Sequence, residues 1–206
     1  MTAFRVTLMR HGEAVDSARR LLGHSDPGLT AEGWHQMRGR WRQIERHRVT
    51  SLGSSDLLRC ASFAKERAQM LSLPLHLDAR WRECDFGALD GRLHESYNVE
   101  EANALQAWQR DPQHNPLPGG ETWQAFQTRA VMATEQWLAS GEGGHRVLIT
   151  HGGVMRALLS HWLDVPSTRH AQFWLNYAAS VSLWWDDNYP PILMGIDNTP
   201  VNDALQ

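Results

Sequence analysis

Val6-Thr7-Leu8-Met9-Arg10-His11-Gly12-Glu13 reads as a short apolar strand running out into a cation, an imidazole and a glycine. A cation and an imidazole at the C-terminal tip of a strand suit an anion, and the glycine lets a ligand approach the backbone. In open α/β sheets, ligands bind outside the carboxyl ends of the strands. The layout recurs near the other end of the chain, where Val147-Leu148-Ile149-Thr150 runs into His151-Gly152-Gly153. Two strand-then-histidine-then-glycine junctions point to one shared site.

Working outward, a polar loop over residues 14–29 follows the first junction and carries Arg19, Arg20, Gly23 and His24. Thr30 is a predicted N-cap for a helix whose apolar positions are Trp34, Met37, Trp41 and Ile44. Further strands are expected at 49–53, 73–77, 147–150, 173–177, 181–185 and 192–196. Helices are expected at 59–71, 95–110, 121–139 and 154–163, with Gly141 to Gly144 breaking the third of these. Alternating strands and helices imply an α/β fold: a three-layer α/β/α sandwich around a mostly parallel sheet. Residues 78–120, irregular and holding a proline- and glycine-rich stretch at 111–120, read as an excursion from that sheet. The expectation is a single domain over 1–206, with 78–120 as a partial lid.

The totals narrow the function. Length, 42% hydrophobic residues and 21% charged residues fit an ordinary globular domain with a sizeable core. A formal net charge of -3 argues against a nucleic-acid partner but leaves room for a locally basic pocket. Cys60 and Cys84 make no disulfide framework and read as packing residues, consistent with the cytoplasm. No run is long and apolar enough to span a membrane, and no signal segment is visible. Most of the ten tryptophans are expected in the core or on helix faces.

On chemistry alone, His11 and His151 are open to three readings: a metal pair, a base with its partner, or a nucleophile beside a phosphate ligand. No His-Glu-x-x-His or Cys-x-x-Cys spacing supports metal. No Gly-x-Ser-x-Gly elbow and no P-loop is present. An imidazole among guanidinium groups suits attack on a phosphoryl centre.

The motifs carry a resemblance. Leu8-Met9-Arg10-His11-Gly12-Glu13 resembles the signature of the histidine phosphatase (phosphoglycerate mutase-like) superfamily. Further blocks follow in the family's order: residues 23–30 with Gly33 and Gln36, Ser54-Ser55-Asp56-Leu57-Leu58-Arg59, Glu83-Cys84-Asp85-Phe86-Gly87, Pro118-Gly119-Gly120-Glu121 with Arg129, and Thr150-His151-Gly152-Gly153-Val154-Met155-Arg156. The resemblance implies a phosphoglycerate mutase-like fold and a metal-independent phosphatase needing no cofactor. In it His11 is the nucleophile, Arg10, Arg59 and His151 bind phosphate, and Glu83 is the proton donor and then the base. His11 should then donate from its other nitrogen to a nearby acceptor, and burial or a phosphate should favour the acid form of Glu83. An optimum at mildly acidic to neutral pH follows, and a flat rate from about pH 5 to about pH 9 would argue against Glu83 in that role.

The departures lie at the rim. Ser17 stands where the family often has a phosphate-contacting asparagine, Gly28 where proline is usual, and Leu89-Asp90 where Trp-Glu is usual. Ser17, Gly23 and His24 are the candidate substrate contacts, and Glu13 is expected to be structural. The mutases carry an arginine-rich insertion, whereas residues 92–120 hold only Arg92 and Arg110 as cations. That favours release of phosphate to water. The run from Ala18 to Asp26 and the second histidine block resemble the bacterial α-ribazole-5'-phosphate phosphatases of cobalamin biosynthesis. The implied partner is a small phosphorylated substrate, with no nucleic acid or membrane, and the chain is expected as a monomer or homodimer.

Overall fold

The structure, a computed structural model, describes residues 3–140, 143–186 and 188–200. A six-stranded sheet runs in the order β3-β2-β4-β1-β5-β6. β1 (Phe4–Arg10), β2 (Val49–Ser54), β3 (Leu75–Leu77) and β4 (His145–Thr150) are mutually parallel. β5 (Ser180–Asp186) and β6 (Tyr189–Asp197) extend the sheet antiparallel.

Both faces of the central strands are apolar because both are covered by helices. Val6, Leu8 and Leu148 pack into one core with Ala130 and Phe126 of α4 (Trp123–Ala139) and Leu158 of α5 (Gly152–Trp162). Met9, Val147 and Ile149 point the other way, onto Met37 and Trp41 of α1 (Ala31–Ile44) and Phe63 of α2 (Leu58–Leu71). This is the three-layer α/β/α arrangement expected. Trp41, Trp81, Trp123, Trp137 and Trp162 are buried, whereas Trp174 and Trp184 are exposed.

The helix starts are chemically specified. Thr30 accepts the Gly33 amide at 2.9 Å and so caps α1. Glu13 is structural here: its amide donates to Gln36 Oε1 at 2.9 Å and its carboxylate accepts from Thr30 Oγ1 at 2.9 Å. A Cβ on Gly12 would lie 2.1 Å from the Gly33 carbonyl oxygen, and one on Gly33 would lie 2.0 Å from that of Glu13. The end of β1 and the start of α1 therefore touch backbone to backbone.

Several expected boundaries shift. A capping box between Asn98 and Glu101 starts α3 at Val99 (Val99–Arg110), with only a 3-10 turn, His94–Ser96, before it. Thr122 caps α4, so that helix begins at Trp123. The predicted break beginning at Gly141 lies partly outside the described residues. The strand expected at 173–177 is not formed. A 3-10 helix, Ser167–Gln172, is followed there by irregular chain. Its backbone groups are met by side chains instead of a ladder: Arg156 Nε donates to the Phe173 carbonyl, Arg10 Nη1 to the Leu175 carbonyl, and the Asn176 amide to Asn198 Oδ1. Among the described residues, no helix is long and apolar enough to cross a membrane.

Candidate active site

The site begins with strand register. β1 and β4 are parallel neighbours with Arg10 opposite Thr150, so the next residues, His11 and His151, leave the sheet side by side. The His11 amide donates to the Thr150 carbonyl at 2.9 Å, and the two rings meet edge to face with centroids 5.1 Å apart.

His11 is 5% exposed. Its Nδ1 lies 2.7 Å from the Gly12 carbonyl, which can only accept, so Nδ1 carries the proton and Nε2 a lone pair. Burial, followed by the positive charges of Arg59 and Arg10, holds this imidazole well below the usual histidine range, against the opposing pull of the Gly12 carbonyl. His11 is a neutral base with a defined tautomer, as a nitrogen nucleophile must be.

His151 is fully buried, and burial, Arg59 and His11 likewise keep it neutral. Arg59 Nε donates to its Nδ1 at 3.2 Å, which assigns the ring proton to Nε2, 2.9 Å from Ser55 Oγ. Three of the other four N–H groups of Arg59 go to the carbonyls of Ser25 (2.7 Å), Gly23 (2.7 Å) and Leu22 (3.2 Å). Asp26 Oδ1 accepts the Leu58 amide at 2.6 Å and so caps α2 from outside, bringing this loop onto Arg59. Arg59 thus ties the loop to His151 and is not a free arm extended into the cleft. Cys60 Sγ packs 3.6 Å from His151 Nε2, and burial pushes its thiol pKa up, so it remains a thiol.

Arg10 is the guanidinium on the cleft side of His11. Its Nη1 donates to the Leu175 carbonyl at 2.6 Å, and its Cζ sits 4.4 Å from the centre of the Tyr177 ring. Its buried Nε has no hydrogen-bond partner among the described residues. A buried donor left unpaired is costly, and a bound oxyanion would satisfy it.

Glu83 faces the same cleft from the other flank. Its Oε2 accepts the Gly153 amide at 2.9 Å, at the N-terminus of α5, and its Oε1 accepts the Cys84 amide at 3.0 Å. A Cβ on Gly153 would lie 2.1 Å from Oε1, so this approach requires glycine. Arg129 of α4 fixes the chain that carries Glu83. It donates to the carbonyls of Arg80, Arg82 and Glu83 at 2.7, 2.8 and 2.9 Å and forks onto Glu121 at 2.7 Å from both Nε and Nη2.

Arg10, His11, Ser17 and Glu83 line one cleft of about 440 Å³, together with Arg20, Phe86, Trp108, Gln109, Arg156, Trp174 and Tyr177 among others. His151 and Arg59 stand directly behind that lining. Gly23 and His24 do not reach it. Their amides and that of Ser25 are gathered by the Asp90 carboxylate at 2.9, 2.7 and 3.0 Å, and a Cβ on Gly23 would strike the Cys84 carbonyl at 2.3 Å. Their part is to hold the loop, with Asp90 as its anchor. No group of three or more His, Cys, Asp or Glu among the described residues is gathered as a metal site.

The family model of the histidine phosphatase superfamily (branch 1) matches residues 6–197. The chain belongs to this superfamily. A curated relative, named Probable phosphoglycerate mutase GpmB, from Salmonella choleraesuis, is 33% identical over 164 residues, covering 79% of this chain and 76% of that protein. Among solved structures, the mycobacterial glucosyl-3-phosphoglycerate phosphatase superposes with a TM-score of 0.85 at 23% identity, covering 96% of this chain and 100% of that one. The alpha-ribazole phosphatase from Shigella flexneri gives 0.82 at 23% identity, over 95% and 96% of the two chains. At that identity the structural likeness speaks for the fold.

Within this histidine phosphatase, sequence reasoning missed most of the far wall of the cleft, Trp108 apart. Arg156 had a usable signal, because it falls three and four residues after Gly153 and Gly152 on α5 and therefore shares their helix face. Tyr177 and Trp174 had none, since their segment alternates like a strand. Trp108 and Gln109 lie at the end of α3, which only the folded excursion carries to the cleft.

Proposed function

We propose that this protein hydrolyses phosphomonoesters through a phosphohistidine formed on His11. The observation that carries the proposal is the neutral, buried His11, its Nδ1–H committed to the Gly12 carbonyl, in one cleft with a guanidinium whose Nε is unpaired among the described residues, Arg10, and a carboxylate, Glu83. The Nε2 lone pair attacks phosphorus as the ester P–O bond breaks, and Glu83 delivers a proton to the leaving oxygen. Positive charge that develops on the ring is stabilised by the Gly12 carbonyl at Nδ1. Arg10 neutralises the equatorial phosphoryl oxygens, with Arg59 supplying positive field and, with Ser55, fixing the neutral His151 ring that packs against His11. Water then attacks the phosphohistidine, its proton passing to Glu83, and phosphate leaves with His11 restored.

Hydrolysis is favoured over mutase chemistry by the composition of the excursion. Its Arg92 is forked onto Glu101 at 2.6 and 3.0 Å, and neither Arg92 nor Arg110 lines the cleft. Neither is placed to retain a bisphosphate in the cleft between turnovers. The excursion at 78–120 serves as a partial lid of a single domain, contributing Phe86, Trp108 and Gln109 to the lining. The substrate is a small phosphorylated metabolite of the cytoplasm. α-Ribazole 5'-phosphate, an intermediate of cobalamin biosynthesis, is the first to test, on the strength of the motif resemblance and the name of one fold neighbour.

The test is a phosphate-release screen of phosphomonoesters that includes α-ribazole 5'-phosphate and 3-phosphoglycerate, with His11→Ala as control. Phosphate release that disappears in His11→Ala and persists with a chelator is the expected result. Activity surviving in His11→Ala overturns the mechanism, and isomerisation of 3-phosphoglycerate dependent on a bisphosphate primer replaces the phosphatase with a mutase.

A further inference from the structure

The lining rings of the cleft are paired, with one exception. Phe86 and Trp108 meet edge to face at 5.3 Å, Trp108 continues onto His170 at 6.2 Å, and Tyr177 covers Arg10. Trp174 has no ring or cation against its face among the described residues, and it is 70% exposed. It is nevertheless held. Its Nε1–H donates to Asn176 Oδ1 at 2.9 Å, and its carbonyl accepts from Asn198 Nδ2 at 2.6 Å. Asn176 is in turn bound to Asn198 through its amide and its side chain, at 2.7 and 3.0 Å. An exposed indole whose polar atom is tied back to its own loop presents a fixed apolar plane with nothing on it. Ordering the ring in advance lowers the entropic cost of stacking. Gln109, also on the lining, has no side-chain partner among the described residues, so its amide is free both to donate and to accept.

We infer that Trp174 is a stacking platform for a flat heteroaromatic ring on the alcohol half of the substrate, and that Gln109 reads the edge of that ring. The substrate class is then a phosphomonoester of a nucleoside-like alcohol rather than of a simple sugar or glycerate. This rests on the phosphatase reading above and adds the chemistry of the leaving group. Glu83, the proton donor to that leaving group, lines the same cleft as Trp174, which places ring and scissile oxygen in one cavity. Stacking on an aromatic platform is sequence-tolerant, because every base has a π-face, and removal of such a platform costs about ten-fold or more in affinity.

The experiment compares kcat/KM for α-ribazole 5'-phosphate and adenosine 5'-monophosphate with that for ribose 5-phosphate, which keeps the phosphoester and lacks the ring. The wild type is expected to favour the ring-bearing esters by about ten-fold or more. The ratio should fall towards one in Trp174→Ala, stay high in Trp174→Phe, and fall for one ring more than for the other in Gln109→Ala. Binding of both ring-bearing esters to His11→Ala, followed by calorimetry, should weaken when Trp174→Ala is added. A wild type that cleaves p-nitrophenyl phosphate yet shows no preference for the ring overturns the subsite alone. So does a ratio unmoved by Trp174→Ala. A wild type that cleaves no ester overturns the phosphatase reading and the subsite with it.

Discussion

The hydroxyl of Tyr177 donates to the hydroxyl oxygen of Ser17 at 2.8 Å, across a gap of 160 residues. The same Ser17 oxygen accepts the Ala14 amide at 3.2 Å. Both lone pairs are therefore occupied, and the serine's own hydrogen is left to point elsewhere. Ser17 lines the cleft, so that hydrogen is available to a phosphoryl oxygen. Where the resemblance left doubt over a short side chain in place of asparagine, the structure supplies a second residue that fixes its direction. Ser17→Ala is expected to weaken inhibition by vanadate about five-fold, as the loss of one hydrogen bond to an anion. Tyr177→Phe should cost less in the Ser17→Ala background than in the wild type. Additive losses, measured as inhibition constants across the double-mutant cycle, would show that the two hydroxyls act separately.

Arg129 does not itself line the cleft; it holds the chain on which Glu83 stands. Arg129→Met should leave KM within about two-fold and lower kcat on the order of ten-fold, because misplacing a proton donor by a fraction of an ångström is paid in turnover. Glu121→Gln, which keeps one acceptor of the fork, should fall between. Equal changes in kcat and KM would place Arg129 in substrate binding instead.

Gly153→Ala brings a methyl group into the space of Glu83 Oε1. The carboxylate must move off the α5 amide, and the expected outcome is a loss of kcat of about a hundred-fold with the fold retained. A circular dichroism spectrum and melting temperature close to wild type would separate this from misfolding.

At the far end of the sheet, His145 is buried with Nδ1 donating to the His47 carbonyl at 2.6 Å and Nε2 accepting from Thr7 Oγ1 at 2.8 Å. Burial, first among its causes, lowers its pKa from 6.5 to about 4. The unfolded chain takes up a proton at this ring below 6.5 while the folded chain does not. Its contribution to stability is thus complete above pH 6.5 and declines as pH falls towards 4, by up to about 3 kcal/mol. His11 and His151 act in the same direction. Urea midpoints should fall steadily between about pH 7 and about pH 4.5, and His145→Gln should make that slope shallower. An unchanged slope in His145→Gln would remove this ring from the account.

Much of this was legible before the structure. The two histidine junctions encode their own neighbourhood, because parallel strands ending at the same level must present adjacent residues. Thr30 announces α1 by its spacing to Gly33, and the alternation in Val147-Leu148-Ile149 is buried on both sides as a central strand should be. What could not be read is long-range and irregular. Arg59 looked like an arm because its motif places it near phosphate, yet three loop carbonyls and His151 take up four of its five N–H groups. Gly23 and His24 looked like substrate contacts because they lie in the polar loop after the first junction, while their geometry is set by Asp90, far along the chain. The stretch around Trp174 copies the period of a strand but is held by Arg10, Arg156 and Asn198, none of them a sequence neighbour.

The contact between Gly12 and Gly33 bears on how this site can change over evolutionary time. Most packing pairs can drift together, one residue growing while the other shrinks. Here both partners are already the smallest residue, and what each would strike is backbone. Neither position has a compensating move, so the pair is a one-way commitment. The carbonyl that sets the His11 tautomer belongs to Gly12, and so the docking of α1 and the protonation pattern of that imidazole are inherited as a single character.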